Sequence, residues 1–422
     1  MMSKFLDSLQ KQEESIRLED VFKPGGNPTH TFVSREGQNF EGRIEQWKKA
    51  EYKILSVSGP TKSGKTVQLK RALGDQAVWI PGGSIRSEDE FWKTVCDQLD
   101  LSLESIETEM TSNATESGAG FSAGVQAGLK TLRESRTEIT NIRARSPKYA
   151  ATQALQSLPL VLVIDDFHYI EQEVQREIIR ALKDPVFNGA KAVVISVPHR
   201  SFDAVKVEKE MTGRFLPLDF SLWSKEDLMK VASQGFDVLD CADPEDVVAE
   251  RFANEAFGNP LLMQNFCLRL CRENGVSNSS EGKLMDIPEN EFFIEASDEA
   301  ERQAFAKIVA GPSRSGRIKR SYRDGGAGDI YELVLRAVSN TGPRLSMTYE
   351  DIRDELRNIV VDKDMPQKNE VTNILESITK ICRDEIEGEP VMEYDRNLRK
   401  LYISDPYFAF FLKWNGADLT SD

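Results

Sequence analysis

The chain has 422 residues, of which 40% are hydrophobic and 29% are charged. This length and balance are ordinary for a globular protein and predict two or three domains with ample apolar cores. The formal net charge of −15 disfavours a general polyanion-binding surface, although a local basic groove is compatible with it.

Cysteine, histidine and apolar patterning exclude several further classes. The five cysteines are odd in number and lack paired C-x-x-C spacing, which is typical of reduced thiols. Cys267 and Cys271 lie one helical turn apart, but no nearby histidine completes a zinc site. No apolar run reaches the ~18–20 residues of a membrane span. The first residues lack a signal-peptide core, so we expect a cytoplasmic protein with no membrane partner.

Residues 1–30 predict a separate N-terminal segment, formed by a short helix and a Pro/Gly turn at 24–28. Residues 31–220 predict an α/β domain. It opens with residues 32–36 and a helix near Phe40–Ala50, and its first buried strand follows at about 53–58.

Residues 59–66 spell Gly-Pro-Thr-Lys-Ser-Gly-Lys-Thr and complete the G-x-x-x-x-G-K-[ST] pattern of a phosphate loop between a strand and a helix. Glycines let the backbone curl so that its N–H groups point at a triphosphate, and the helix start adds partial positive charge. We predict that ATP binds with Mg²⁺, that Lys65 contacts the β- and γ-phosphates, and that Thr66 ligates the metal ion. The predicted nucleotide-binding residues of the loop are Gly59, Pro60, Thr61, Lys62, Ser63, Gly64, Lys65 and Thr66.

The next predicted elements are a strand at 77–80 and a helix at 88–99, whose start is marked by the capping-box residues Ser87 and Glu90. A Gly-rich insertion follows at 102–150. Two interpretations of it stay open: an irregular strand or hairpin that contacts a partner, or a flexible surface loop.

Residues 161–166 spell Val-Leu-Val-Ile-Asp-Asp, which predicts a strand buried on both faces that ends in two carboxylates. Open α/β sheets bind ligands at the carboxyl ends of their strands, where the phosphate loop also lies. We predict that Asp165 holds Mg²⁺ through water and that Asp166 orients or deprotonates the attacking water.

A helix at 170–182 and strands at 191–196 and about 215–218 complete the predicted sheet. Residues 221–300 predict a helical lid whose first helix has Ser224 as its N-cap, and residues 301–327 predict a basic linker. Five basic residues within 314–323 either contact phosphates or are solvated.

Residues 328–422 predict a winged helix-turn-helix, with helices at 330–339, 349–358 and 368–381 and strands at 391–394 and 401–403. The aromatic-rich end at 405–414 is expected to bury against the wing. Residues 311–422 carry 17 Lys and Arg against 20 Asp and Glu, so DNA is a conceivable partner but is not implied. The predicted fold class is therefore α/β: a P-loop parallel sheet with a helical lid and a C-terminal winged helix.

Together these motifs resemble the AAA+/STAND branch of P-loop ATPases, including prokaryotic members that end in a winged helix, over about residues 32–414. One strand and helix between the phosphate loop and the aspartate pair mark the additional-strand class of these ATPases. Residues 32–36, Phe-Val-Ser-Arg-Glu, are similar to the segment that lies against adenine, which implies nucleotide contacts for Phe32, Val33 and Arg35. The aspartate pair is similar to that of STAND proteins.

Three further similarities imply additional roles. The strand that ends at Ser196 resembles the sensor-1 strand, with Ser196 or Arg200 contacting the γ-phosphate. Arg214 resembles the arginine finger that a subunit supplies to its neighbour. Residues 258–260 match a G-x-P signature in which Pro260 lies on the side of the base. The alternatives are ordinary surface arginines and a helix stop and restart.

The resemblance implies an ATP-dependent molecular switch that forms homo-oligomers and hydrolyses ATP slowly. It also implies a partner effector and a role in prokaryotic regulation or phage defence. The alternative is a nucleic-acid-associated AAA+ ATPase similar to origin-recognition proteins or transposition regulators, which salt-dependent DNA affinity would favour. A third hypothesis is a non-hydrolysing module that uses nucleotide only to fold.

Overall fold

The structure is a computed structural model that describes residues 15–101, 146–197, 213–279, 283–297, 299–312, 317–342, 344–386 and 390–416. The chain divides into two compact units. Unit 1 comprises Met1–Arg35, Pro60–Ser63 and Ser221–Asp422, and unit 2 comprises Glu36–Gly59 and Gly64–Phe220. The described N-terminal residues, 15–35, thus belong with the helical unit and not with the sheet, which differs from the predicted boundary at residue 31.

The elements are numbered here along the chain. The strands are β1 Ile54–Ser58, β2 Ala77–Pro81, β3 Val161–Asp165, β4 Lys191–Ser196, β5 Phe215–Asp219, β6 Arg320–Ser321, β7 Ala327–Gly328, β8 Ser346–Thr348, β9 Met392–Asp395 and β10 Lys400–Ile403. The helices are α1 Leu18–Val21, α2 Phe40–Ala50, α3 Lys65–Leu73, α4 Glu88–Gln98, α5 Pro147–Ser157, α6 Gln172–Phe187, α7 Lys225–Val238, α8 Val247–Glu255, α9 Pro260–Glu273, α10 Asn290–Glu295, α11 Glu299–Ala310, α12 Ile330–Asn340, α13 Tyr349–Ile359, α14 Lys368–Asp384 and α15 Pro406–Asn415.

In the described part of unit 2, five parallel strands form a sheet in the order β2-β3-β4-β1-β5. Strand β4 lies between the phosphate-loop strand β1 and the aspartate strand β3, so an additional strand separates them. The residues of β1 are all buried, as expected for a parallel strand covered on both faces. The predicted α/β class with a parallel sheet is confirmed.

Two cores flank this sheet because successive strand residues point to opposite faces. Val161 and Val163 join the core that contains the apolar residues of α2 and α3. Leu162 and Ile164 join the core on the other face, with residues from α4, α5 and α6. Because β1, β3 and β4 are parallel and the cores hold the sheet on both faces, the carboxyl ends of these strands lie at one edge.

Local sequence signals account for most helix starts. The Ser87 hydroxyl accepts from the Glu90 N–H, and the Ser224 hydroxyl accepts from the Asp227 N–H, as predicted. The prediction for α6 ended too early, since the helix continues to Phe187 through the buried Pro185. Proline has no backbone N–H, so Pro185 removes one backbone hydrogen bond from this helix two residues before its end.

Unit 1 contains two apolar cores. The first combines the described N-terminal residues Leu18, Val21 and Phe22 with helices α7 to α10. The second combines α11 to α14 with the antiparallel sheet β8-β10-β9. The predicted helices and hairpin strands of residues 328–422 are present, and β8 is an unpredicted third strand. Its identification as a winged helix stays a prediction.

Helix α15 packs in the core that contains the hairpin strands β9 and β10, as expected, and it also contributes to the other core of unit 1. Phe408 and Phe411 belong to the second core, and Tyr407 and Phe410 belong to the first. The buried Glu255 carboxylate of α8 also accepts from the Lys413 ammonium group at 2.6 Å and from the Trp414 indole at 3.0 Å. Residues on different faces of one helix therefore join the two cores.

The predicted basic linker at 301–327 is folded in its described part. Helix α11 places Phe305 and Ile308 in the second core of unit 1, and β6 pairs with β7. The predicted Gly-rich insertion comprises residues 102–150, of which 102–145 lie outside the described residues. Its last residues, from Pro147 onwards, form the start of α5. Among the helices that the structure describes, none is long and apolar enough to cross a membrane.

Candidate nucleotide-binding site

The phosphate loop follows the carboxyl end of β1 and leads directly into α3, which begins at Lys65. Gly64 occupies the N-cap position with a left-handed φ of 88°, a conformation that favours glycine. No side chain in the described ranges caps this helix start, and its first turn contains no acidic residue. The first N–H groups of an α-helix have no partner within the helix, and together with the helix dipole they favour an anion at the start of α3.

Gly59 is required by a close backbone approach. A Cβ atom at Gly59 would lie 2.6 Å from the Phe220 carbonyl oxygen. The Phe220 N–H donates to the Ser58 carbonyl at 2.6 Å, and the Ser58 hydroxyl bonds the Asp219 carboxylate. The end of β5 therefore holds the first residue of the phosphate loop in place.

Lys65 and Thr66 each contact a neighbouring group at the carboxyl edge of the sheet. The Lys65 ammonium group donates to the Gly59 carbonyl at 2.7 Å, so its side chain folds back over the loop. The Thr66 hydroxyl lies 3.2 Å from the Asp165 carboxylate. A hydroxyl and a carboxylate are oxygen donors of the kind that Mg²⁺ prefers. The predicted metal-binding pair thus meets across the sheet edge.

Asp166 is exposed and has a left-handed backbone with a φ of 52°. Its N–H donates to the Asp165 carboxylate at 3.1 Å, which orients the two acidic residues with respect to each other. The Gln175 amide donates to the carbonyl groups of Phe167 at 3.1 Å and Ile170 at 2.8 Å, which fixes the turn after Asp166. An exposed carboxylate in this position can receive a proton from water.

Gly82, which the sequence analysis missed, supports the same turn. A Cβ atom there would lie 2.6 Å from the Asp166 carbonyl oxygen and 2.8 Å from that of Asp165. Only glycine lets the backbone after β2 approach the aspartate turn so closely. The Pro81-Gly82-Gly83 run at the end of a predicted strand was the available signal.

Ser196 ends β4 and pairs in register with Ser58 of β1. Its hydroxyl is buried and has no hydrogen-bond partner among the described residues, and the same holds for the hydroxyl of Ser63 in the phosphate loop. Buried hydroxyl groups normally have partners, so the unpaired hydroxyl of Ser196 beside the last residue of β1 fits a bound ligand. Arg200, the other predicted γ-phosphate contact, lies outside the described residues.

The middle of the phosphate loop, Pro60–Ser63, makes its contacts within unit 1. The Trp223 indole N–H donates to the Ser63 carbonyl at 2.9 Å. The Lys62 ammonium group lies 2.9 Å from the Asp405 carboxylate, and Lys62 has a left-handed φ of 60°. Neither contact was predicted, because the partners are remote in sequence.

Arg35 is buried, with 2% of its surface exposed, and holds residues 221–223, which precede α7. Its guanidinium donates to the carbonyl groups of Ser221 at 2.9 Å and Leu222 at 3.1 Å and lies 5.1 Å from the ring centroid of Trp223. Burial lowers its pKa to about 10, and the negative charge of Asp227 acts in the opposite direction. Arg35 thus stays protonated at neutral pH.

The other two residues predicted to lie against adenine are also in unit 1. Val33 is buried in its first core, and Phe32 is half-buried. Nucleotide contacts of Phe32, Val33 and Arg35 stay predictions.

Residues 258–260 form a helix stop and restart. Gly258 has a left-handed φ of 70°, and the Asn259 carboxamide caps α9 by accepting from the N–H groups of Leu261 at 2.8 Å and Leu262 at 3.1 Å. Pro260 is the first residue of α9. The Gly258 carbonyl accepts from the Trp223 N–H at 3.0 Å, and a base contact of Pro260 stays a prediction.

Arg214 lies at the sheet edge opposite the phosphate loop. Its carbonyl accepts from the N–H of Ile54, the first residue of β1, at 2.9 Å, whereas the loop follows the last residue of that strand. At ~3.3 Å per residue, five strand residues separate these edges by roughly 16 Å. Arg214 is therefore far from the phosphate loop of its own chain.

The described part of the predicted basic stretch is largely ion-paired. Arg317 pairs with Asp329 at 2.7 Å, Arg320 with Glu370 at 2.7 Å, and Arg323 with Asp362 at 2.5 Å. These pairs occupy the guanidinium groups that the sequence offered as phosphate contacts. The described residues also contain no group of three or more His, Cys, Asp or Glu side chains that could hold a metal ion.

The sheet order, the glycine-rich loop after β1 and the aspartate pair at the end of β3 define a P-loop α/β fold in which an additional strand separates β1 from β3. No protein-family model matches the sequence, and no curated protein matches it.

Similar solved structures exist. Cdc6p from Pyrobaculum aerophilum is 13% identical, with 95% of this chain and 98% of that chain covered and a TM-score of 0.42. The Aeropyrum pernix ORC2 protein, in ADPNP and ADP complexes, is 10% identical, with 95% and 96% covered and a TM-score of 0.49. A STAND protein with a tetratricopeptide repeat sensor from Pyrococcus horikoshii is 15% identical, with 90% and 42% covered and a TM-score of 0.36.

Proposed function

We propose that the protein binds ATP with Mg²⁺ at residues 59–66 and hydrolyses it slowly, as an ATP-dependent molecular switch. The observation that carries this proposal is the 3.2 Å approach of the Thr66 hydroxyl to the Asp165 carboxylate beside the uncapped start of α3. The proposal is supported because the start of α3 and the oxygens of Thr66 and Asp165 lie at one edge of the sheet, where phosphates and Mg²⁺ would bind.

The described side chains divide the chemistry among them. The N–H groups at the start of α3 and the Lys65 ammonium group would hold the phosphates, and Thr66 and Asp165 would hold Mg²⁺, which neutralises phosphate charge when bound. Asp166 would orient the attacking water and accept its proton. The unpaired hydroxyl of Ser196 would contact the terminal phosphate.

We further propose that the protein works as a homo-oligomer in which Arg214 of one subunit completes the site of its neighbour. The position of Arg214 at the far sheet edge supports this, because the side chain cannot serve its own loop. A partner effector, and a role in prokaryotic regulation or phage defence, are proposed from the resemblance to STAND ATPases alone.

Nucleotide titration tests the proposal directly. Lys65→Ala should abolish measurable ATP binding, because it removes the charge that neutralises the β- and γ-phosphates. Lys70→Ala is the matched control, since Lys70 is an exposed lysine on the same helix. Equal ATP affinity and turnover in both variants and the unmodified protein would refute the nucleotide-binding proposal.

A further inference from the structure

We propose that Asp405 and Tyr407, at the start of α15, are positioning residues for the phosphate loop and act on it through Lys62. The inference rests on the proposed nucleotide-binding function and adds two residues more than 300 positions away from the loop in sequence. Neither residue would touch the nucleotide.

The Lys62 side chain makes two contacts with the start of α15, an ion pair and a cation–π contact. The Lys62 ammonium group lies 2.9 Å from Oδ2 of Asp405 and 4.4 Å from the ring centroid of Tyr407. The Lys62 and Asp405 side chains are 35% and 20% exposed, so solvent only partly screens the ion pair. A cation held by both a carboxylate and an aromatic face has one favourable position.

The residues that receive Lys62 are themselves fixed. Oδ1 of Asp405 caps α15 by accepting from the Tyr407 N–H at 2.9 Å, which leaves Oδ2 for Lys62. The Tyr407 hydroxyl accepts from the Asn265 amide of α9 at 2.5 Å. Because α15 packs in two apolar cores, the Asp405 carboxylate and the Tyr407 ring are held in fixed positions.

The contacts of Asp405 and Tyr407 with the Lys62 side chain stabilise an unusual backbone conformation at Lys62. A left-handed φ is unfavourable for a lysine, but a phosphate loop must curl so that its N–H groups converge on one point. Holding the side chain from outside stabilises that curled backbone. Nucleotide affinity should then depend on the ion pair, for ADP as for ATP, whereas the chemistry at Asp166 should not.

The test is Asp405→Asn, which removes the charge and keeps a good helix N-cap. We expect the Kd of both nucleotides to rise about 2–5-fold, the range for loss of a partly exposed ion pair, with kcat within about twofold. Asp329→Asn is the matched control, because Asp329 also caps a helix, α12, and pairs with Arg317 at 2.7 Å. It should lower thermal stability without changing the Kd.

A double-mutant cycle with Lys62→Met decides whether Asp405 acts through Lys62. In that background Asp405→Asn should have no further effect on the Kd. The inference fails if Asp405→Asn leaves the Kd unchanged or tightens binding while the unmodified protein binds nucleotide. It also fails if the same rise occurs without the lysine. If the unmodified protein binds neither ADP nor ATP, the proposed function fails together with it.

Discussion

Substituting Gly82 by alanine should displace the turn at Asp165 and Asp166, although Gly82 itself has no side chain that could take part in the chemistry. The new Cβ atom would lie 2.6 Å from the Asp166 carbonyl oxygen and 2.8 Å from that of Asp165. Both neighbours are backbone atoms, so no side chain can rotate away and the turn itself must move. Overpacking of this kind costs roughly 1–3 kcal/mol. At about 2–4 °C per kcal/mol for 150–250 residues, Tm should fall by roughly 2–12 °C.

The same displacement should reduce turnover. Asp165 and Asp166 are attached to the carbonyl groups that must shift, and a misplacement of ~1 Å in a catalytic group can cost on the order of 10²-fold in rate. ATP affinity in the absence of Mg²⁺ should change little, because the three atoms nearest to the added Cβ atom all belong to Asp165 and Asp166 and not to residues 59–66. Calorimetry, nucleotide titration without metal and steady-state ATP turnover measure the three effects separately.

Gly83→Ala is the matched control for Gly82→Ala. An added Cβ atom at Gly83 would meet nothing within 4 Å, and its backbone does not have a positive φ. The reasoning is refuted if the two variants have the same Tm and the same turnover. A lower Tm with unchanged turnover would mean that the turn relaxes without moving the carboxylates, and the proposed roles of Asp165 and Asp166 would lose their structural support.

Two further predictions concern the chemistry of hydrolysis. Asp166→Asn should retain ATP binding and slow hydrolysis by on the order of 10²-fold or more, while Asp165→Asn should instead weaken Mg²⁺-dependent binding; an unchanged rate for the first variant would exclude Asp166 as the base. Arg214→Ala should lose most turnover, since fingers contribute roughly 10³–10⁵-fold. Mixing Arg214→Ala protein with Lys65→Ala protein should restore some activity, and an inactive mixture of the two well-folded variants would contradict action across subunits. Turnover of the unmodified protein should also rise faster than linearly with its concentration.

The parts of the fold that the sequence predicted correctly depend on local patterns. Four consecutive apolar residues predicted β3, and a serine three residues before an acidic residue predicted the starts of α4 and α7. The misassigned α11 shows the limit of such patterns. Its buried Phe305 and Ile308 lie beside a strongly basic stretch, and the charges of that stretch favoured a linker. Tertiary burial, which a local pattern does not show, makes this segment a helix.

The phosphate loop could be recognised from eight consecutive residues, but the contacts that shape it could not. The Trp223 contact to Ser63 spans 160 positions of sequence, and the Lys62 contact to Asp405 spans 343. In the sequence, Asp405 is simply a helix N-cap before a proline, and that role explains only one of its two carboxylate oxygens. The sequence does not indicate a partner for the second oxygen, Oδ2. The folded chain shows that Oδ2 pairs with Lys62 of the phosphate loop. A motif therefore identifies where a ligand binds, whereas the residues that set its affinity can be distant and carry no motif at all.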